Sequence, residues 1–147
     1  MRKNLPMMLI RVMVGLVFLT EGILKFVRPG ELGAGRFAHI GLPLPHLLAP
    51  LVGAVEVLGG AVLILNLYAG DAALVLLIVI ATALVTTKLP ILLGHRMGRF
   101  ETPRLGSYGL LSFLHEARVD LCMLLGTLAV LIENGLRVGK KTKWYQR

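Results

Sequence analysis

Cysteine, acidic residues and charge as a whole are scarce in this chain. Its one cysteine, Cys122, excludes an internal disulfide framework and any CxxC redox pair. Electrons, if the protein handles them, must pass through something other than paired thiols of its own. Charged residues make up 16% of the 147 positions, whereas soluble domains carry about 25%. Mean hydropathy is +0.77. This composition belongs to the membrane class and leaves no room for a separate soluble catalytic domain. Acids are outnumbered, 8 against 16 Lys and Arg, for a net charge of +8. That excess is not a nucleic-acid signature. The bases flank apolar runs, as at "MRK" and in the tail "RVGKKTKWYQR", where they meet anionic lipid headgroups. No basic surface interleaved with aromatics accompanies them, and no repeat or low-complexity tract is evident.

What is abundant is long apolar sequence. Crossing about 30 Å of hydrocarbon takes about 20 helical residues, and four segments qualify: about 5–27, 47–67, 71–93 and 113–133. They predict an all-α integral membrane protein, a single four-helix bundle. The first segment is read as a retained span rather than a signal peptide. It is too long, contains Arg11 and Glu21, and ends at "KFVRPGE" without a small-residue cleavage site. A tight "NLYAGD" joins the second and third spans. Two long Gly- and Pro-rich loops lie together on the opposite face, with Phe37, Phe100 and Tyr108 available for the interface. The side holding both termini carries seven bases outside the spans, Arg2, Lys3, Arg137, Lys140, Lys141, Lys143 and Arg147. The long-loop side carries five, Arg28, Arg36, Arg96, Arg99 and Arg104. Cytoplasmic termini in a bacterial inner membrane are therefore expected.

The spans nevertheless contain Arg11, Glu21, Lys25, Glu56, Lys88, Glu116, Arg118 and Asp120. An ionised residue facing lipid at mid-span costs roughly 2.5 to 3.5 kcal/mol, so all eight so placed would cost on the order of 20 kcal/mol. Most must turn inward, pair or snorkel. Arg11, Gly15, Phe18, Gly22 and Lys25 share one helical face, with Glu21 at its edge and spaced i,i+4 from Lys25 as for an ion pair. In "VGAVEVLGGAV", Gly53, Glu56, Gly59 and Gly60 suit close helix approach beside an acid. Counting depth from the loop face, the charges gather in that half of the bundle, with His115 beside them. The other half looks apolar apart from Arg11.

Bland readings compete with functional ones. "HEARVD" lacks the second His that a zinc-protease helix needs, since Val119 holds that position. No metal is expected, and an ion-pair network locking the fourth span is the plainest account. Glu56 is either a proton carrier or a hydrogen-bonded acid gluing helices. Lys25 and Lys88 either hold an anion or carbonyl oxygen or run their stems to the interface, the outcome favoured for Lys88. Cys122 is assigned to core packing. In "GLPLPHLLAP", Pro43, Pro45 and Pro50 stiffen the approach and put Pro50 near the first turn of the second span.

These elements resemble a known family. "RVMVGLVFLTEGILKFVRPGEL", "FAHIGLPLP" and "LVGAVEVLGGAVLIL" look like the DoxX family of small membrane proteins, and "TTKLPILLGH" with "HEARVDLCMLLG" resembles a common bacterial branch of it. The likeness runs from about Arg11 to Ile132. It is most specific at Arg11, at Gly22 with Lys25, at Gly41 to Pro45, and at Glu56 with Gly59 and Gly60. Many members continue with a Gly-Pro-rich cap where this chain has a basic tail. The resemblance implies a four-span inner-membrane protein, often described as an oxidoreductase subunit, and supplies no residue-level mechanism. The leading expectation is therefore a membrane component of a quinone-linked redox system. Glu56, His115, Glu116 and Asp120 would handle protons, and Arg11, Glu21, Lys25, Lys88 and Arg118 would hold the ligand. The cofactor is left open, with quinone the candidate, and a partner oxidoreductase or external reductant is the expected electron donor. The chain would sit in the lipid bilayer, with no nucleic acid and with room for homo-oligomers. Small-solute or proton transport, or a non-catalytic scaffold for an enzyme, are the rival expectations.

Overall fold

The computed structural model describes residues 5–94 and 106–134. Phe100, Arg96, Arg99, Arg104 and the terminal bases counted above lie outside the described residues. Among those described there is no strand. Helix α1 runs Leu5–Val27, a short α2 Ala34–Ile40, α3 Pro45–Ile64, and α4 Ala69–Ala83. A π-helical turn at Leu84–Lys88 then leads into α5, Leu89–Leu92, and α6 spans Leu110–Glu133. The chain folds as the expected helical membrane bundle. Leu5–Val27, Pro45–Ile64 and Ala69–Leu92 are each long and apolar enough to cross a membrane. Helix α6, with 24 residues, is about 36 Å long, but Glu116, Arg118 and Asp120 interrupt its apolar run.

The helices alternate in direction, and each packs against two neighbours of opposite sense, α1 on α3 and α6, α4 on α3 and α6. This is an up-down-up-down bundle. Hydrophobic burial gives little drive between helices in lipid, so close backbone contact must supply it. Glycines at matching seven-residue intervals do this between α1 and α3. A Cβ on Gly15 would sit 2.8 Å from the Gly60 carbonyl oxygen, and one on Gly22 would sit 2.7 Å from that of Gly53. Each distance is shorter than a carbon and an oxygen tolerate, so only glycine lets these backbones meet.

Below the loop-side charges the interior is apolar. Val14, Phe18, Leu63, Leu76, Met123 and Val130 form one buried cluster, while Leu16, Leu58, Ile78 and Leu125 point outward. Cys122 is also exposed, against the expectation of core packing. Met123 takes the buried position of α6, and its neighbour is turned about 100° away.

Two local details differ from the sequence reading. Helix α3 starts two residues early because Pro45, with its fixed φ and no N–H to satisfy, occupies the opening turn. Pro50 therefore lies inside the helix and withholds a hydrogen bond from the His46 carbonyl. The first long loop also contains α2, which carries Arg36 into contact range of the bundle.

The end holding the termini is less apolar than expected. Besides Arg11, whose Nε is buried without a hydrogen-bond partner, Asn66 is 7% exposed with its Oδ1 likewise unpartnered. Thr127 is fully buried and donates to the Met123 carbonyl.

Candidate functional site

An α-helical side chain leans toward the start of its own helix. Helix α1 rises toward the loop face and α3 descends from it. Lys25 near the end of α1 therefore leans down while Glu56, about 16 Å along α3, leans up. They meet with Nζ 2.5 Å from Oε2, and their side chains are 11% and 7% exposed. The Gly22–Gly53 contact just below Lys25 brings the two helices close enough for this. Lys25 also lies 3.5 Å from the carbonyl oxygen of Glu21. The expected i,i+4 ion pair is thus replaced: the Lys25 ammonium meets the Glu56 carboxylate on another helix, and along its own helix it meets only the Glu21 backbone carbonyl.

The same lean operates between α4 and α6. Lys88, at the end of the π-helical turn, has Nζ 4.0 Å from Glu116 and 3.8 Å from Asp120, with its side chain only 13% exposed. The favoured snorkelling of Lys88 is corrected by this geometry. Its ammonium points into the bundle, toward α6. Thr86 and Thr87 donate to the carbonyls of Thr82 and Ala83 at 2.8 and 2.6 Å, which occupies backbone acceptors around the widened turn. Glu116 and Asp120, one turn apart on α6, present both carboxylates to the same cation.

Two further groups lie within electrostatic reach of these pairs. Arg36, from α2, attracts the Asp120 carboxylate electrostatically, and Glu21 lies within repulsive range of both Glu56 and Asp120. Glu21 is nonetheless exposed. Sequence reasoning counted Arg36 only as a loop cation. The short helix that delivers it, sandwiched between glycines, carried too little periodicity to be read.

Other expected members stay outside. His115 and Arg118 are exposed, and the Arg118 guanidinium donates to the His115 carbonyl on its own helix. Arg11 lies at the far end, where Glu133 attracts it. The structure therefore gathers Glu21, Lys25, Glu56, Lys88, Glu116 and Asp120, adds Arg36, and leaves out His115, Arg118 and Arg11. No group of three His, Cys, Asp or Glu among the described residues is arranged to hold a metal ion.

The DoxX family profile matches residues 7–89 of this chain. The chain belongs to the DoxX family. The matched segment contains both Lys25 and Glu56 and reaches Lys88, while Glu116 and Asp120 lie beyond it. An uncharacterized membrane protein of Mycobacterium tuberculosis, Rv3486, is 46% identical over 122 residues, covering 83% of this chain and 71% of that protein. No solved structure matches the chain significantly. Membership in DoxX fits the helical membrane bundle described above, and the chemistry has to be argued from the charged cluster.

Proposed function

We propose that this DoxX protein is a membrane component of a quinone-linked redox system and that Lys88, Glu116 and Asp120 receive the quinone head. One observation carries the reading. The Lys88 ammonium lies between two carboxylates at 3.8 and 4.0 Å, beyond the separation of a direct charge-assisted hydrogen bond, about 2.8 Å. A ligand oxygen inserted there gains a donor without breaking a short ion pair. Quinone reduction adds two electrons and two protons. Lys88 would stabilise negative charge developing on the near oxygen, Glu116 or Asp120 would pass it one proton, and water at the membrane interface would supply the second to the far oxygen. The electrons come from a partner oxidoreductase or an external reductant. An apolar surround with a few convergent polar groups is the usual form of such a pocket. In this reading the ligand would enter from the bilayer past exposed Glu21, which lies within electrostatic reach of both Glu56 and Asp120. With seven bases against five, cytoplasmic termini would place the cluster in the periplasmic leaflet of the inner membrane.

The test is titration of the reconstituted protein with a short-chain quinone while following thermal unfolding. Wild type is stabilised in a concentration-dependent way, and Lys88→Met loses the effect. Absence of any shift in wild type removes the reading.

The unpartnered Arg11 Nε and Asn66 Oδ1 at the opposite end favour a second reading, transport of a small solute or proton. The apolar layer of Val14, Phe18, Leu76 and Met123 stands against it. Flux in proteoliposomes without added quinone would reverse that ranking.

A further inference from the structure

We infer that Pro90 is a positioning residue: through the π-helical turn before it, Pro90 sets the rotation that turns Lys88 into the charged cluster. The buried stripe of α4 gives the phase. Ala69, Ala73, Leu76 and Ile80 face inward at steps of four, three and four, the α-helical rhythm. Continued unbroken, that rhythm brings Thr87 inward, one full seven-residue step after Ile80, and leaves Lys88 about 100° further round, on the half-buried flank with Leu77 and Ala81. The π turn at Leu84–Lys88 spends one extra residue. Lys88 then inherits the inward position that Thr87 would have held.

Pro90 supplies the reason for the extra residue. In an uninterrupted α-helix its ring would press on the Thr86 carbonyl, and it has no N–H to offer that oxygen. With the turn widened, the Leu89 N–H instead bonds the Leu84 carbonyl, five residues back. The hydroxyls of Thr86 and Thr87 cover the Thr82 and Ala83 carbonyls. Beyond the turn only the four residues of α5 follow, and the Gly109 N–H fastens them to the start of α6 through the Ile91 carbonyl at 3.1 Å. The rotation therefore sets both where Lys88 points and how α5 meets α6. Its consequence for ligand rests on the quinone reading above, whereas the position of Lys88 does not.

Reductive methylation of the protein in liposomes, with formaldehyde and a borane reductant and a mass-spectrometric readout, tests position alone. In wild type, Lys88 and Lys25 are both weakly labelled. Pro90→Ala lets the α rhythm continue, so Lys88 labelling rises several-fold while Lys25 stays protected. A disrupted bundle would expose both. Lys88 remaining as protected as Lys25 in Pro90→Ala overturns the inference. Adding Thr87→Lys and Lys88→Thr to Pro90→Ala brings the transplanted amine inward again and restores protection. If Pro90→Ala exposes Lys25 as well, the same exchange in the Pro90 background decides. The amine at position 87 is then heavily labelled, and its protection there overturns the inference. Because no quinone enters the measurement, loss of the redox reading and loss of the Pro90 role are told apart.

Discussion

The two buried ion-pair systems use the same helix geometry with opposite results. Lys25 and Glu56 are 2.5 Å apart, beside glycines that press α1 onto α3. Lys88 shares two carboxylates at 3.8 and 4.0 Å, at a helix end followed by only four more helical residues. The first arrangement is closed, with each charge satisfied by one partner at short range. The second is open, because one cation attends two anions without seating against either. A closed pair holds helices together. In the open one the Lys88 ammonium stands about 4 Å from each carboxylate, and on the reading proposed above that is where a ligand oxygen enters.

The largest effect should come from breaking the closed pair on one side only. Glu56→Leu strands the Lys25 ammonium in the bundle, and we expect about 3 to 5 kcal/mol loss of stability, read as a lower unfolding midpoint in lipid nanodiscs. The double variant Lys25→Met with Glu56→Leu should recover most of that loss. If single and double variants are equally unstable, the pair is not the clamp described here. Gly60→Ala comes next. Its methyl would lie 2.6 Å from the Gly15 carbonyl oxygen, and forcing the helices apart should cost about 1 to 3 kcal/mol.

Lys88→Met should be milder, about 1 to 2 kcal/mol, between the values for exposed and buried pairs. It should also abolish stabilisation by a short-chain quinone while Gly60→Ala retains it. A larger loss from Lys88→Met than from Glu56→Leu would invert the comparison. Smallest of all, His115→Gln and Arg118→Gln should each change stability by less than about 0.5 kcal/mol and leave quinone stabilisation intact. A clear loss of binding in either would bring those exposed groups back into the site.

Much of this architecture was legible because membrane spans announce themselves by length. Helix α1 covers 5–27 as read, and α3, α4 and α6 begin two or three residues earlier than expected. The discrepancies arise where the chain departs from regular α rhythm. Pro45 draws the start of α3 forward. The seven residues of α2 are too few to show periodicity. The π turn rotates Lys88 by an amount that no wheel drawn at 100° per residue would include. Of the candidate site, Lys25, Glu56, Glu116 and Asp120 were found by asking where lipid-intolerant charge goes. Their pairing was not, since i,i+4 spacing suggested Glu21 for Lys25, whereas the glycine contacts made the cross-helix partner nearer. His115 and Arg118 share a sequence segment with Glu116 and Asp120 but not their face. Neighbouring positions on a helix look in different directions.

The outward-facing Cys122 has its own use. Its sulfur, the lone thiol of the chain, sits half a turn beyond Asp120 on the lipid side of α6. Water-soluble alkylating agents should find it out of reach while that helix is immersed and should modify it promptly once detergent strips the bilayer away. The wild-type molecule thus carries its own immersion gauge for the most highly charged of its long helices.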